Sequence, residues 1–283
     1  MTILADGTSA LPRGRLTPVS DPRDPRIAVY RDVRERDVVG RENGFVAEGE
    51  VVLRVLSRSP RFRTRSLLLA QKRAERVASL IDAFDDDVAV YVADQAVMDA
   101  IAGFPMHRGI LAFGERNEAA SPDALLRALP ARAVVLVLYG IANHDNIGGL
   151  FRNAAAFGVG TVLLDPTCCD PLYRKAIRVS VGGVLTVPFA RLGEGEDGID
   201  LLRRHGFESL ALSPAGAVPL TDLTPPARAA VWLGAEGPGL PDQILNRART
   251  VTIPMAGGFD SLNVATTSGI VLYHLTAAAG RHG

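Results

Sequence analysis

Two α/β units, the second built on a parallel sheet, are the fold class that this sequence predicts. Three observations carry that reading. From residue 133 onward, short apolar runs of strand character alternate with helical stretches, at 133–138 (AVVLVL), 161–164, 209–212, 230–233 and 251–254. Such alternation favours a parallel sheet with helices on both faces. The first half alternates too, and the polar segment 114–123 (GERNEAASPD), bearing Gly, Ser and Pro, separates the halves. At 283 residues the chain is long enough to bury two cores.

Taken in order, residues 1–25 are Pro-rich, carry no basic-then-apolar leader pattern, and are expected to form a flexible arm. Residues 26–116 form the first unit: a helix over 48–56, a strand at 66–70, a helix over 71–81, a strand at 88–92, a helix over 95–101 and a strand at 110–113. A linker and first helix occupy 117–130, and the second unit runs from 131 to 283.

Composition points to a globular chain, 47% hydrophobic and 22% charged. No apolar run has the length of a membrane span, so no membrane partner is expected. The two cysteines, Cys168 and Cys169, are adjacent, which suits neither a disulfide framework nor a zinc site. The expectation is a reduced, cytoplasmic protein without a metal. Net charge is +0, which argues against indiscriminate polyanion binding. Basic residues nevertheless cluster at Arg54, Arg58, Arg61, Arg63, Arg65, Lys72, Arg73 and Arg76, interrupted only by Glu75. That cluster is either a solvated face or an arginine-lined RNA surface.

Three segments carry the chemistry. The first follows the strand at 133–138: a polar loop, Asn143-His144-Asp145-Asn146, leads into a helix of small residues with Gly158 as its stop. Asn146 and Arg152 are six apart, so they reach one ligand only if Asn146 lies in the loop and the helix begins after it. Adjacent His144 and Asp145 point apart and read as loop polarity, not as a catalytic pair. The second segment is Gly234-Ala235-Glu236-Gly237-Pro238-Gly239, after an apolar strand. Its spacing is not the G-x-G-x-x-G of a dinucleotide site, which sets aside a nucleotide-dependent oxidoreductase. The third, VTIPMAGGFDSLNVATTSGIVLYHL, joins a short strand to a helix, with Ser261 and Asn263 both suited to cap it.

These segments, in this order, resemble the three motifs of the SpoU (TrmH-like) branch of the SPOUT RNA methyltransferases. The pattern N-x-G-x-x-x-R-x-A-x-x-F-G stands as Asn146, Gly148, Arg152, Ala154, Phe157 and Gly158; G-x-E-G-x-G begins at Gly234; I-P-M-x-G and S-L-N-V begin at Ile253 and Ser261. Arg178-Val179-Ser180-Val181-Gly182 looks like the family's connecting segment. Asn153 stands where Thr is common, and Ala265 where Ser is common. The resemblance implies a C-terminal, trefoil-knotted, parallel-sheet SPOUT methyltransferase domain that binds S-adenosyl-L-methionine. The first unit, through Glu48-Gly49-Glu50 and His107-Arg108-Gly109-Ile110, is similar to the smaller α/β ribosomal-protein-L30e-like domain that precedes many SpoU domains.

What the resemblance implies is methylation of a ribose 2′-hydroxyl in rRNA or tRNA. Leu233, Gly234, Gly237, Ile253, Met255 and Leu262 would contact the cofactor. Arg152, Asn146, Glu236, Ser261 and Asn263 would line the reacting end, and Arg58, Arg61, Arg63, Arg65, His107 and Arg108 would contact RNA. A guanidinium stays protonated and is a poor general base, so Arg152 is expected to act with an RNA phosphate. A homodimer through the C-terminal domain is also implied, with Phe151, Ala154, Ala155, Phe157, Ile270, Leu272 and Tyr273 as its apolar surface. The alternative is a catalytically silent RNA-binding protein that keeps the fold.

Overall fold

The computed structural model describes residues 15–31, 44–103, 106, 109–117, 120–257 and 261–277. The chain divides into two compact units, residues 1–117 with 172–178, and residues 118–171 with 179–283.

The first unit is a five-stranded mixed sheet of β1 (Leu16–Val19), β2 (Gly44–Glu48), β3 (Phe62–Ala70), β4 (Ala89–Ala93) and β5 (Ile110–Arg116), in the order β1-β4-β3-β5-β2. β1 and β3 flank β4 in parallel, while β5 pairs antiparallel with both β3 and β2. Helices α1 (Glu50–Leu56), α2 (Gln71–Ala74), α3 (Ala78–Ile81) and α4 (Gln95–Ala102) connect the strands. Ile27, Tyr30, Leu68, Met98 and Leu111 centre one core cluster. Tyr30, from the turn Pro25–Tyr30, reaches Ser66 of β3 with its hydroxyl, 2.9 Å from the carbonyl and 2.7 Å from Oγ.

Three expectations need correction in this unit. The arm expected to run to residue 25 already pairs as β1 at Leu16, Val19 being buried against the sheet. The helix expected from residue 48 starts at Glu50, because Gly49 takes φ +97° and residues 44–48 pair with β5. The helix expected over 71–81 is broken into α2, a 3-10 turn Glu75–Val77 and α3. Val77 leaves the helical region at φ −111°, ψ 18°, and the bend lets Val77, Leu80 and Ile81 all enter the core.

The second unit is a seven-stranded sheet: β6 (Ala133–Tyr139), β7 (Thr161–Leu164), β8 (Phe189–Arg191), β9 (Glu208–Leu212), β10 (Val218–Pro219), β11 (Arg228–Gly234) and β12 (Arg249–Thr252). Its order is β10-β12-β9-β11-β6-β7-β8, and every pairing is parallel. β8 and β10, two or three residues long, carry too little apolar pattern to be read from sequence. Helices α5 (Pro122–Arg127), α6 (His144–Ala156), α7 (Arg174–Val179), α8 (Gly183–Thr186), α9 (Gly198–Arg204), α10 (Asp242–Leu245) and α11 (Val264–Ala277) complete the α/β pattern, with residues 174–178 of α7 grouping with the first unit.

Strand residues alternate between faces. Val135, Val137, Ala230 and Trp232 cluster with Leu126 of α5, Leu202 of α9 and Ile244 of α10. The opposite face takes α6, which packs against both α8 and α11, α11 also touching β11. Parallel pairing matters for function because every strand then ends on the same edge, so the loops leaving β6, β9, β11 and β12 converge there. Among the described residues, no helix is long and apolar enough to cross a membrane.

Candidate active site

Asn143 caps α6: its Oδ1 accepts from Asp145 N at 2.8 Å, and its carbonyl takes the first helical bond from Ile147. Asn146 therefore lies in the first turn of the helix, not in the loop, and His144 and Asp145 lie in that same turn. Six positions along a helix rotate the side chain by about 240°, so Asn146 and Arg152 point different ways. Asn146 is buried and Arg152 exposed, so the loop position that the spacing argument required of Asn146 is not met. Arg152 carries no hydrogen bond or ion pair among the described residues. The helix ends as expected: Gly158 takes φ +67° and Val159 N returns to Ala154 O, satisfying an orphan carbonyl.

Asn263 is the residue that gathers the motifs. Its Oδ1 accepts from Ala265 N at 2.9 Å and Thr266 N at 3.3 Å, so it caps α11. Its Nδ2 donates to Asn146 Oδ1 at 2.9 Å and to Glu236 Oε1 at 3.0 Å. One amide thus spends both ends, joining one residue from each of the three sequence motifs. Ser261, expected to share the capping, makes no such bond to the helix among the described residues and lines a cleft instead.

The crossing of α6 and α11 is pinned close by. Asn153 Nδ2 donates to Ala265 O at 2.6 Å and to Ser268 Oγ at 2.9 Å. A Cβ on Gly149 would fall 2.6 Å from the Ala265 Cβ, so the helices meet across a bare backbone. The two departures from the motif pattern, Asn153 and Ala265, are therefore partners of each other.

The cleft lies at the carboxyl ends of β9, β11 and β12 and has a volume of about 500 Å³, within the range of small-molecule sites. Leu233, Gly234, Gly237, Ile253, Met255 and Leu262, all six residues expected to hold a cofactor, line it, with Glu236 and Ser261 at its polar side. Sequence reasoning missed Leu212, Ser213, Pro214, Val251, Val264 and Thr267. The signal for the first three was available: they end a strand of a parallel sheet, where ligands bind. Asn146, Arg152 and Asn263 do not line the cleft.

Glycine is required where the loop folds back. A Cβ on Gly234 would fall 2.3 Å from the Gly239 carbonyl carbon, and Gly237 and Gly239 hold φ of +90° and +68°. Gly239 N closes the turn on Ala235 O at 3.0 Å.

Beside this loop, buried Asp165 accepts from Gly140 N at 2.9 Å, from Cys168 N at 3.1 Å and from the Thr167 hydroxyl. Burial pushes its carboxyl up, but these donors outweigh that and hold it below the usual carboxylate value. At the thiols burial prevails, raising Cys168 to about 12 and Cys169 to about 11. Both stay protonated at neutral pH and are poor nucleophiles. Among the described residues, no group of three or more His, Cys, Asp or Glu could hold a metal.

The residues expected to meet RNA or a second copy fall into several environments. Arg63 and Arg65 are spent on Asp87 at 2.8 Å and Glu115 at 2.7 Å, and Arg61 lies over the Phe62 ring at 5.1 Å. Burial lowers the Arg61 pKa to about 10. Arg58 is exposed, while His107 and Arg108 lie outside the described residues. Phe151, Ala154 and Leu272 are fully buried in the chain itself and cannot form a dimer surface. Ile270 and Tyr273 are 39% and 64% exposed, and Phe157 packs edge-on against Tyr273 at 6.4 Å between centroids.

Residues 133–273 match the family model described as the SpoU rRNA Methylase family. The chain is 36% identical over 277 residues to an uncharacterised tRNA/rRNA methyltransferase of Mycobacterium bovis, covering 93% of this chain and 92% of that one. It is 28% identical over 227 residues to the 23S rRNA (guanosine-2′-O-)-methyltransferase RlmB of Salmonella typhi, covering 77% and 92%. Its fold matches the crystal structure of an AdoMet-bound rRNA methyltransferase from Sinorhizobium meliloti, with a TM-score of 0.78, 23% identity, and coverage of 94% and 99%. The motif residues, their meeting at Asn263 and this relationship along nearly the whole chain together place the protein in the SpoU (TrmH-like) family of RNA methyltransferases.

Proposed function

We propose that the protein transfers a methyl group from S-adenosyl-L-methionine to a ribose 2′-hydroxyl of rRNA or tRNA in the cytoplasm. The observation that carries this reading is the cleft: all six residues expected to hold the cofactor line it, and Asn263 ties its Glu236 edge to Asn146. The names of relatives support the same chemistry, RlmB being a guanosine-2′-O-methyltransferase of 23S rRNA. The cleft suits the donor: Leu212, Leu233, Ile253, Leu262 and Val264 offer apolar walls for a nucleoside, and the bare backbone at Gly237, open on its Cβ side, allows close approach.

S-adenosyl-L-methionine supplies an electrophilic methyl group. The chain's own residues align and assist the hydroxyl. Arg152 clamps an RNA phosphate with its planar fork and stabilises charge developing on the ribose oxygen, while the clamped phosphate helps receive the proton. Asn263 holds Glu236 and Asn146 in register at the reacting end, and Ser261 offers a hydroxyl on the cleft wall.

The working unit in this proposal is a homodimer through the C-terminal domain. Arg152 is exposed and outside the cleft of its own chain, and Ile270 and Tyr273 leave apolar area uncovered. We propose further that the first domain, which β1 extends towards the N-terminus and which ends near residue 116, is L30e-like, that 117–130 link it to a catalytic domain over 131–283, and that the last is knotted.

Purified protein incubated with methyl-labelled cofactor and separate rRNA and tRNA pools tests the activity. The expected product is label in RNA whose modified nucleotide resists alkaline cleavage on its 3′ side, the mark of a blocked 2′-hydroxyl. Label on a base would refute the ribose assignment. Cofactor binding without transfer to either pool would favour the silent RNA-binding alternative.

A further inference from the structure

Asp165 is a buried ionisable group that the chemistry above leaves unused. It follows the last residue of β7 and opens the turn Asp165-Pro166-Thr167-Cys168, closed by Cys168 N on Asp165 O at 3.3 Å. Asp in first place and Pro in second are residues that such a turn favours. The same turn forms with its aspartate in water, yet this one is only 5% exposed. A carboxylate is costly to bury unless its oxygens are bonded. On the methyltransferase reading above, we propose that Asp165 is a positioning residue for methyl transfer: through Gly140 it sets the start of α6, and thereby the junction of Asn146, Asn263 and Glu236.

Hydrogen bonds stitch the turn after β7 to the loop after β6. Asp165 Oδ1 accepts from Gly140 N at 2.9 Å, across 25 residues of sequence. The Cys168 thiol accepts from Ile141 N and donates to Leu138 O, both at 3.3 Å, and Cys169 N donates to Ile141 O at 2.9 Å. Thr167 Oγ1 and Cys168 N donate to the same carboxylate, at 2.9 and 3.1 Å, and fix its orientation. All three of its donors are neutral, so the carboxylate serves to hold geometry. Arg191 braces the far side of the turn, its Nη1 donating to the carbonyls of Asp165, Pro166 and Cys168 at 2.9, 3.2 and 2.9 Å. Shortly beyond Gly140 and Ile141 comes Asn143, the cap of α6, and Asn146 follows in the first turn.

Gly140 is where this brace meets the cleft. It holds φ +68°, and a Cβ there would fall 3.3 Å from the Ala235 Cβ and 4.0 Å from Thr167 Oγ1. The loop after β6 is thus seated between the Asp165 turn and the residue before Glu236, and both Ala235 and Glu236 line the cleft. Asn263 Nδ2 must reach Asn146 on one side and Glu236 on the other, at 2.9 and 3.0 Å. Hydrogen bonds tolerate little displacement. A start of α6 that wanders would lose one bond or the other, and a misplacement of about 1 Å at a distance from the chemistry can cost ~100-fold in rate. Asp165 prevents that wandering.

The test uses the full-length protein and the RNA pool that the wild type labels, with kcat, cofactor affinity and thermal unfolding measured together. Asp165→Ala should lower kcat at least ~10-fold and leave cofactor affinity within about threefold. Asp165→Asn should recover kcat to within about threefold, because its Oδ1 accepts from both N–H groups and its amide donates to the Thr167 hydroxyl. An Asn variant as slow as the Ala variant would show that charge is needed and overturn the geometric role. Leu202→Ala, a truncation in the core on the sheet face away from α6, is the yardstick for stability alone: it should unfold earlier and keep its kcat at temperatures where it is folded. Equal falls in kcat and cofactor affinity for Asp165→Ala make the residue merely structural and overturn the proposal. In an Asn263→Ala background, Asp165→Ala should cost less than about threefold in kcat, because the junction it serves is already gone. Additive losses overturn that route. If Asp165→Ala does not fold, Thr167→Val takes its place with an expected loss of ~3-fold for one bond, and no loss overturns the proposal. Hydrogen exchange of the Asn263 side-chain amide, read by NMR, reports the junction without turnover: its protection should be lost in Asp165→Ala and kept in Asp165→Asn. A wild type that transfers no methyl group defeats the enzymatic reading, whereas Asn263 protection unchanged in Asp165→Ala defeats the positioning.

Discussion

The two units solve the placement of polar groups in opposite ways. In the first, a mixed sheet sends its loops to both edges, and many arginines end in exposed pairs such as Arg63–Asp87 and Arg65–Glu115. Such pairs are worth at most ~1 kcal/mol each. In the second, an all-parallel sheet delivers every loop to one edge, and an asparagine, a glutamate and a helix cap meet at a single amide. The difference teaches that charge density in a sequence is a poor guide to a site. Convergence of strand ends is a better one.

The comparison breaks most visibly if Arg152 proves dispensable. With Arg152→Ala, kcat should fall at least ~100-fold while cofactor affinity, measured by calorimetry, stays put. A parallel loss of cofactor binding would make Arg152 structural instead. Arg152→Lys should restore little, because an ammonium cannot reproduce the planar fork.

Gly234→Ala probes the strand-end loop itself. The added Cβ meets the Gly239 backbone at 2.3 Å, so the loop must move away from the cleft. Cofactor affinity should drop by ~10-fold or more, about 1.4 kcal/mol, with RNA affinity untouched. Retained affinity would show that this loop does not form the cofactor wall.

Asn263 sharpens the comparison, because two roles can be separated in one residue. Asn263→Ala removes the cap and both Nδ2 bonds, and thermal or urea unfolding should show a loss of ~1–2 kcal/mol. Asn263→Asp keeps the capping acceptor but cannot donate, and it sets an anion beside Glu236. Stability should largely persist while methyl transfer falls. Equal stability losses in both variants would mean that the cap counts for little.

Much of this was legible before any fold was known. Apolar runs fixed β6, β7, β9, β11 and the alternation of the second unit, because burial of a strand on both faces leaves a near-continuous apolar signature. The glycine pattern at 234–239 marked a loop whose backbone must fold on itself, since only glycine tolerates that approach. The same local logic was incomplete elsewhere. Arg63 and Arg65 read as unpaired cations because their partners, Asp87 and Glu115, are 24 and 50 residues away. Phe151, Ala154 and Leu272 looked like a dimer face because the helices that cover them arrive from distant parts of the chain.

What the sequence determined by itself is local: periodicity, turn chemistry and the identities of the motif residues. What only the tertiary structure decided is which of those residues meet. Asn146 and Asn263 are 117 positions apart, and their bond depends on how α6 crosses α11 over Gly149 and Asn153. The start of α6 belongs to the same class, since either Asn143 or Asn146 could have capped it and the packed helix chose Asn143. The physical reason is that propensity and capping are worth about 1 kcal/mol and act within a turn, whereas burial across the sheet sums many contacts and overrides them.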